Sequence, residues 1–298
     1  MKKPRPKKSP LWREGPLVEE EIFATLEEKK GTSLFLGKYS LNEVIAVLNK
    51  KSFFKEAQKR KLWPLDFDLD SSEFPLQRLQ IFYQEKKPEK MIVDLKIKEG
   101  VFYPNKKIAS HFPLSEYKFL ILDWLTLQNP LLNFSLEKSP LPGQKHPGLN
   151  LGKKVLDIFV YLARLSRKDG LLAFPNYFHN ALLFSRYFHF LNPEKLGEVL
   201  AVKASFPDVS FKKLAWIVYL DCMRDKKGRK YEWKAEEQIF PLNKALNDYF
   251  DSRFYKEKVK ESQEQLSFEI DWECFKKKIS EKGWKYKDLF QDAPFPAR

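Results

Sequence analysis

The sequence predicts a mixed α/β (α+β) fold, in which a central mixed sheet is flanked by helices and followed by a helical C-terminal extension. Leu79, Ile81 and Tyr83 recur at every second position, and Val93, Leu95 and Ile97 alternate with polar residues, which is the period of a half-buried strand. Residues 152–166 instead carry the amphipathic pattern of a helix. With 298 residues, the chain is long enough to bury a sizeable core.

The N-terminal part is predicted to pass from a basic tail, residues 1–14, into helices. An acidic helix is expected at 17–30, and Ser40-x-x-Glu43 is a capping box that predicts another helix start. Residues 62–75 are expected to form a solvated loop. Its acids lack the glycine and terminal glutamate of a calcium loop; they are Asp66, Asp68, Asp70 and Glu73.

The sheet is expected to follow this loop. After the two alternating strands, a turn is predicted at Glu99-Gly100. The dense apolar run at 117–127 indicates a central strand buried on both faces, and 133–137 are expected to add one more strand. The next elements are a glycine-containing loop, the helix to about Ser166, and then a strand, a helix and a strand, at 171–174, 176–186 and 187–191.

The C-terminal part, 192–298, is predicted to be a mostly helical extension of a core that spans 15–191. Asn192-Pro193 and Ser210 are helix starts, and Trp216 is expected in the core. Further helices are predicted at 238–254, at 256–263 and from about 273. A strand at 266–272 is expected to return to the main sheet, and a separate C-terminal domain is the alternative.

The composition argues against a membrane-spanning protein, a secreted protein and a disulfide-stabilised scaffold. No apolar run approaches the roughly 18 residues of a membrane span, and the basic N-terminus lacks the apolar region of a secretory signal. Cys222 and Cys274 are isolated in sequence, which excludes a disulfide scaffold. We therefore expect a cytoplasmic protein. The net charge of +14 indicates attraction to polyanions, but the basic blocks at 2–8 and 226–230 lie in no recognisable nucleic-acid-binding motif.

Residues 148–152, at the start of the predicted helix, have the features of a phosphate-binding loop. A helix N-terminus exposes unpaired main-chain amides and the positive end of the helix dipole, a combination that binds phosphate. Gly148 and Gly152 permit close approach to the main chain, Asn150 tolerates a positive φ, and Lys153 adds positive charge. An ordinary tight connection between a strand and a helix would have the same spacing.

Residues 139–191 resemble the GNAT superfamily of CoA-dependent N-acyltransferases. Pro147-Gly148-Leu149-Asn150-Leu151-Gly152 falls on the family's Arg/Gln-x-x-Gly-x-Gly/Ala loop, whose amides hold the CoA pyrophosphate. Ala181, Phe184 and Phe190 fall on apolar positions of the family's later helix and strand. The resemblance implies a GNAT-like sheet that binds acetyl-CoA or another acyl-CoA as co-substrate, together with a small-molecule or peptide amine as acceptor.

The resemblance also implies the individual site residues. The cofactor-binding set is Gly148, Leu149, Asn150, Leu151, Gly152 and Lys153, with Asn180 on the pantetheine arm. The family's tyrosine, which often protonates the departing thiolate, aligns with Ser185, and a serine hydroxyl is shorter and less acidic. His179 and His146 are therefore the other catalytic candidates, with a packing role as the alternative. The histidine spacing predicts no metal site.

Three functions stay open at this point. The first is acyl transfer from acyl-CoA to an amine, with acetyl as the expected group. The second is a catalytically inactive GNAT-like binding or interaction protein. The third is a basic protein that associates with nucleic acid through its tail and the 226–230 block.

Overall fold

The structure is a computed structural model, and it describes residues 34–104, 108–135 and 139–282. The basic tail and the helix predicted at 17–30 lie outside these residues. The chain forms two compact units. Unit 1 takes its described residues from 1–127, 149–173 and 241–249, and unit 2 takes its own from 128–148, 174–240 and 250–298.

The described residues form nine α-helices and nine strands, numbered here in chain order. The helices are α1 (Leu41–Lys50), α2 (Phe53–Lys59), α3 (Gly152–Leu165), α4 (Phe178–Phe184), α5 (Pro193–Ser205), α6 (Phe211–Tyr219), α7 (Lys244–Asp251), α8 (Arg253–Gln265) and α9 (Trp272–Glu281). The strands are β1 (Leu65–Asp70), β2 (Gln77–Tyr83), β3 (Met91–Phe102), β4 (Tyr117–Leu127), β5 (Gly170–Ala173), β6 (His189–Phe190), β7 (Met223–Asp225), β8 (Gln238–Pro241) and β9 (Phe268–Ile270).

Unit 1 contains a mixed sheet, which confirms the predicted fold class. Strands β1 to β4 pair in order and antiparallel, and β5 pairs parallel with β4. The predicted central strand at 117–127 is β4, and its first half is buried, including Phe119 and Leu120. Apolar side chains from β3, such as Ile92 and Ile97, complete this core.

The loop predicted at 62–75 is wrong in its first half, because residues 65–70 form strand β1. Leu65, Phe67 and Leu69 alternate with aspartates, and the strand pairs with β2 in a continuous antiparallel register. The alternation has the period of a strand. The charge of the aspartates is compatible with this position because β1 lies at the edge of the sheet.

Two other sheet predictions are also wrong. The expected turn at Glu99-Gly100 lies inside β3, where Gly100 pairs with Phe119 of β4. Gly100 is therefore an ordinary paired residue of the β3–β4 ladder, and the strand continues beyond it to Phe102. Residues 133–135 of the strand predicted at 133–137 are not in a strand, and 136–137 lie outside the described residues.

Unit 2 is built from helices and two short antiparallel pairs, β6 with β8 and β7 with β9. The strand predicted at 266–272 therefore forms as β9, but it pairs with β7 and not with the main sheet. The helix predicted at 238–254 is wrong at its start, because 238–241 form β8 and a helix begins only at Lys244. Pro241 is incompatible with a helix interior.

The predicted helix starts and the predicted core position of Trp216 are confirmed. The Ser40 side chain accepts a hydrogen bond from the Glu43 nitrogen, and the Glu43 side chain accepts one from the Ser40 nitrogen. Asn192 caps α5 and Ser210 caps α6. Trp216 is 3% exposed, in an apolar cluster of unit 2. Within the ranges described, no helix combines the length and apolar character needed to cross a bilayer.

Candidate functional site

Strands β4 and β5 of unit 1 part from each other partway along β4. Their parallel register ends at the pair Leu122↔Ala173, whereas β4 continues for the residues 123–127. The main chain of these residues is therefore not paired with β5. Parallel strands that end unequally leave peptide groups available at the carboxyl end of the sheet, which is where α/β proteins commonly bind ligands.

A β-bulge marks the same point on β4. Ile97 of β3 pairs with Leu122, but the preceding residue, Lys96, pairs with Trp124, so Asp123 is the extra residue. Bulges redirect side chains and are frequent next to active sites. Asp123 is half-buried and is the only acidic residue of β4. Asp123 is not among the site residues predicted from the sequence, although an aspartate within an apolar strand is a visible signal.

The N-terminus of α3 has no side-chain cap. The helix begins at Gly152, and the preceding residue, Leu151, has a side chain that cannot accept a hydrogen bond. The first amide bonded within the helix is that of Val155, which donates to the Leu151 carbonyl over 2.9 Å. No described side chain accepts a hydrogen bond from the amides of Gly152, Lys153 and Lys154. These three donors lie at the positive end of the helix dipole.

The chain around these amides leaves room for a ligand. Gly152 and Lys153 are exposed, and a Cβ built on Gly152 meets no heavy atom within 4 Å. Asn150 has a φ of 56°, in the left-handed region that asparagine tolerates better than most residues. The neighbouring side chains of Leu149 and Leu151 are only 3% and 5% exposed. The apolar anchors are therefore buried while the polar backbone stays accessible.

Hydrogen bonds fix this loop at the end of β4. The Leu149 amide donates to the carbonyl of Leu127, the last residue of β4, over 3.4 Å. The Leu149 carbonyl accepts a hydrogen bond from Nε of Arg60 over 3.1 Å. The start of α3 is thus held where β4 has already left β5.

An ion network lies beside the same helix start. The Glu56 carboxylate is 2.6 Å from an Nη of Arg60 and 3.2 Å from Nζ of Lys154. These two hydrogen bonds, that of Arg60 first, lower the pKa of Glu56 to about 2. The charge of Lys154 is therefore compensated, whereas Lys153 forms no ion pair with a described residue. Of the two lysines in the first turn, Lys153 is the one available to an anion.

The remaining predicted residues lie in unit 2. Gly148 is exposed and forms an isolated antiparallel bridge with Gln128. His146 and Asn180 are half-buried. Ser185 is exposed, and its hydroxyl donates to the Leu182 carbonyl over 2.9 Å. The structure therefore groups 149–153 in unit 1 and the histidine and serine candidates in unit 2.

His179 is a packed histidine in unit 2. Its side chain is buried, and the ring stacks on Tyr177 with a centroid distance of 5.3 Å. Burial lowers its pKa to about 4. His179 is consequently a neutral imidazole and a weak base at physiological pH. The ring of His189 stacks on Phe250. Although part of this residue is exposed, the partial burial of its ring lowers the pKa as well.

A basic groove lies along one face of α3 in unit 1. Its volume is about 340 Å³, and it is lined by Lys51, Lys154, Asp157, Val160, Tyr161 and Arg164. Nζ of Lys51 lies 4.7 Å from the centroid of the Tyr161 ring, a cation–π contact. Three cations thus face one carboxylate from within the groove. Across the parts of the chain that the structure describes, no group of three or more His, Cys, Asp or Glu residues is arranged to hold a metal ion.

Comparison with known proteins gives few matches. No protein-family model and no curated protein match the chain. It is similar to the structure of AtaT complexed with acetyl-methionyl-tRNAfMet, at 13% identity and a TM-score of 0.25, over 53% of this chain and 82% of that one. It is also similar to a mutant of KacT, at 9% identity and a TM-score of 0.28, over 72% of this chain and 89% of that one.

At identities below 25% and TM-scores this far below 0.5, neither likeness carries an argument about the family or the activity of this chain. The chain is a mixed α+β protein, and its resemblance to the GNAT superfamily rests on the sequence of residues 139–191.

Proposed function

We propose that this protein is a CoA-dependent N-acyltransferase, which transfers an acyl group, acetyl in the first instance, to an amine. One observation carries the proposal. The uncapped amides of Gly152, Lys153 and Lys154 lie at the start of a helix that is fixed to the end of β4. A helix start of this kind is suited to a diphosphate, the most highly charged part of CoA apart from its ribose phosphate.

The residues at this helix start fit a diphosphate on three counts. Among the described residues, no side chain competes for the amides, no atom fills the space above Gly152, and no carboxylate pairs with Lys153. Acyl-CoA, when bound, supplies the activated thioester. The protein's part is to hold this molecule and to manage the protons of the acceptor amine and of the departing thiol.

The part of β4 that extends beyond β5 is suited to the pantetheine arm. That arm is an extended chain with two amide groups, and an extended chain can add to a strand edge through main-chain hydrogen bonds. Residues 123–126 present such an edge where β4 has left β5, before the Leu127 carbonyl accepts the bond from Leu149. The side-chain amide of Asn180, in unit 2, remains the other candidate for this role.

An acceptor ammonium must lose a proton before its nitrogen can attack the thioester. We assign this proton to the carboxylate of Asp123, which lies at the bulge where β4 leaves β5. His179 is less suited because a buried imidazole with a pKa of about 4 holds a proton poorly at neutral pH. His146 remains a second candidate base, and Ser185 remains a weak candidate for protonating the thiolate.

Titration calorimetry with acetyl-CoA tests the proposal. Gly152→Glu places a carboxylate among the three amides, so we expect the loss of binding. Gly152→Ala adds a methyl group that meets nothing within 4 Å, so it controls for folding and should still bind. Gln265→Glu adds the same charge at an exposed position of unit 2 and should bind like the parent. Binding of acetyl-CoA by Gly152→Glu with unchanged affinity would refute the proposal.

Nucleic-acid binding is a second candidate function, and the basic groove on α3 favours it. Lys51 and Arg164 form no ion pair with a described residue, and Nζ of Lys51 lies over the ring of Tyr161 in the same groove. A positive groove with an aromatic side chain is the usual arrangement for binding a single strand. The 226–230 block is less suited because Arg229 pairs with Asp225, and Lys230 pairs with Asp221.

A further inference from the structure

The only two cysteines of the chain, 52 residues apart, are adjacent in unit 2. Their sulfur atoms lie 2.9 Å apart, and both are free thiols. Cys222 follows α6 and precedes β7, whereas Cys274 lies in the first turn of α9. The isolation of these residues in the sequence gave no sign of this proximity.

The two segments that carry the cysteines are held together independently of the sulfurs. The Asp271 amide donates to the Cys222 carbonyl over 2.9 Å, and the Asp271 side chain caps α9 at the Cys274 amide. Nζ of Lys278 donates to the carbonyl of Leu220 over 2.5 Å. The β7–β9 ladder adds a third connection. These contacts therefore hold the two sulfurs close together before any disulfide forms.

The two thiols differ in accessibility. Cys222 is fully buried, and burial raises the pKa of its thiol, which leaves it protonated and shielded from reagents in solution. Cys274 is only partly buried at the margin of the same apolar cluster. A small oxidant therefore reaches Cys274 first, and Cys222 is in place to react with the product.

We propose that Cys222 and Cys274 form a reversible disulfide, a modification site at which a peroxide is the oxidant. The Cys274 sulfur is oxidised to a sulfenic acid as the O–O bond of the peroxide breaks and one water leaves. The Cys222 sulfur then attacks the Cys274 sulfur, so that an S–S bond forms, the S–O bond breaks and a second water leaves. In total, two thiols and one hydrogen peroxide give one disulfide and two waters, and a dithiol reductant reverses the oxidation.

The disulfide would tie α9 to the end of α6 across a 52-residue stretch of chain. Cross-links over long loops stabilise chiefly by restricting the unfolded chain. We expect the thermal midpoint of the full chain to rise by about 5 °C or more on oxidation. The rate of disulfide formation should increase with pH, because the attacking Cys222 thiol must lose its proton.

Peptide mapping of the full-length protein tests the proposal. After treatment with hydrogen peroxide and alkylation in denaturant, one peptide pair joined through Cys222 and Cys274 is expected, about 2 Da lighter than the two reduced peptides together. Dithiothreitol should restore both thiols and the lower thermal midpoint. The Cys222→Ser variant should leave Cys274 free to oxidise beyond the sulfenic acid. Recovery of two alkylated thiols from the oxidised parent protein, or of sulfinic acid at Cys274 in that protein, would overturn the proposal.

Discussion

Arg60 donates a hydrogen bond from Nε to the carbonyl oxygen of Leu149, over 3.1 Å, and thereby connects α2 to the loop that precedes α3. An Nη of the same guanidinium donates to the carboxylate of Glu56 over 2.6 Å. One side chain therefore fixes the peptide plane of Leu149 and belongs to the ion network beside the α3 amides. Substitution at Arg60 should disturb ligand binding without touching the amides themselves.

We expect Arg60→Met to weaken acetyl-CoA binding by about three- to tenfold, because the loss of one hydrogen bond of this kind costs roughly 1 kcal/mol. Calorimetric dissociation constants check the expectation. Lys55→Met is the matched control, since it removes the same charge from an exposed residue of α2. Equal affinities for the two variants would show that Arg60 does not support the loop.

The low pKa of Glu56 predicts a pH dependence of stability. Its folded pKa of about 2 lies below the ordinary value of 4.5, so the unfolded chain takes up a proton first as the pH falls. The stabilisation is present above about pH 4.5 and is lost progressively toward pH 2. Urea unfolding across this range should show a steeper loss in the parent than in Glu56→Gln. Parallel pH profiles of the two proteins would contradict the assignment.

The sequence predicted the elements whose pattern was local. The capping box of Ser40 and Glu43 and the apolar run of β4 each contain their own signal, and both elements formed at the expected residues. The positive φ of Asn150 could likewise be predicted from its residue type. The uncapped start of α3 also follows from local sequence, since neither Leu151 nor Gly152 has a side chain that can cap.

The features that depend on distant contacts could not be predicted in the same way. The bulge at Asp123 exists only as a register difference between β3 and β4. The Arg60–Leu149 bond joins residues 89 positions apart, and the Cys222–Cys274 contact joins residues 52 positions apart. At β1, the four acids of residues 66–73 favour a loop, whereas the alternation of Leu65, Phe67 and Leu69 with aspartates has the period of a strand, and the strand is what forms.

His179 predicts a second pH dependence, at higher pH. Because its pKa is about 4 in the fold and about 6.5 in an unfolded chain, protons bind preferentially to the unfolded chain as the pH falls below 6.5. Stability should decrease between pH 6.5 and pH 4 by on the order of 3 kcal/mol. The NMR shift of the His179 ring should show no inflection near pH 6.5. A midpoint near pH 6.5 would restore His179 as a base at neutral pH.

Asp123→Asn tests the proposed proton acceptor. If the carboxylate takes the proton of the ammonium, turnover at neutral pH should fall by about 10²- to 10⁴-fold, while the dissociation constant of acetyl-CoA changes little. Free-thiol release with a panel of amines measures turnover. Asp157→Asn, on the exposed face of α3, is the control and should retain activity. Full turnover by Asp123→Asn, with normal acetyl-CoA binding, would assign the proton to another group and leave the CoA site intact.

The basic groove predicts the salt dependence of nucleic-acid binding. Phosphate contacts release counterions, so each cation that touches a phosphate contributes to the slope of log affinity against log salt. Replacing Lys51 and Arg164 with glutamate should weaken binding of a fluorescent single-stranded RNA and reduce that slope by roughly one unit per cation. Lys226→Glu together with Lys227→Glu makes the same charge change in the exposed turn of unit 2. If the two double variants lose affinity equally, the attraction is due to net charge and the groove is not a binding site.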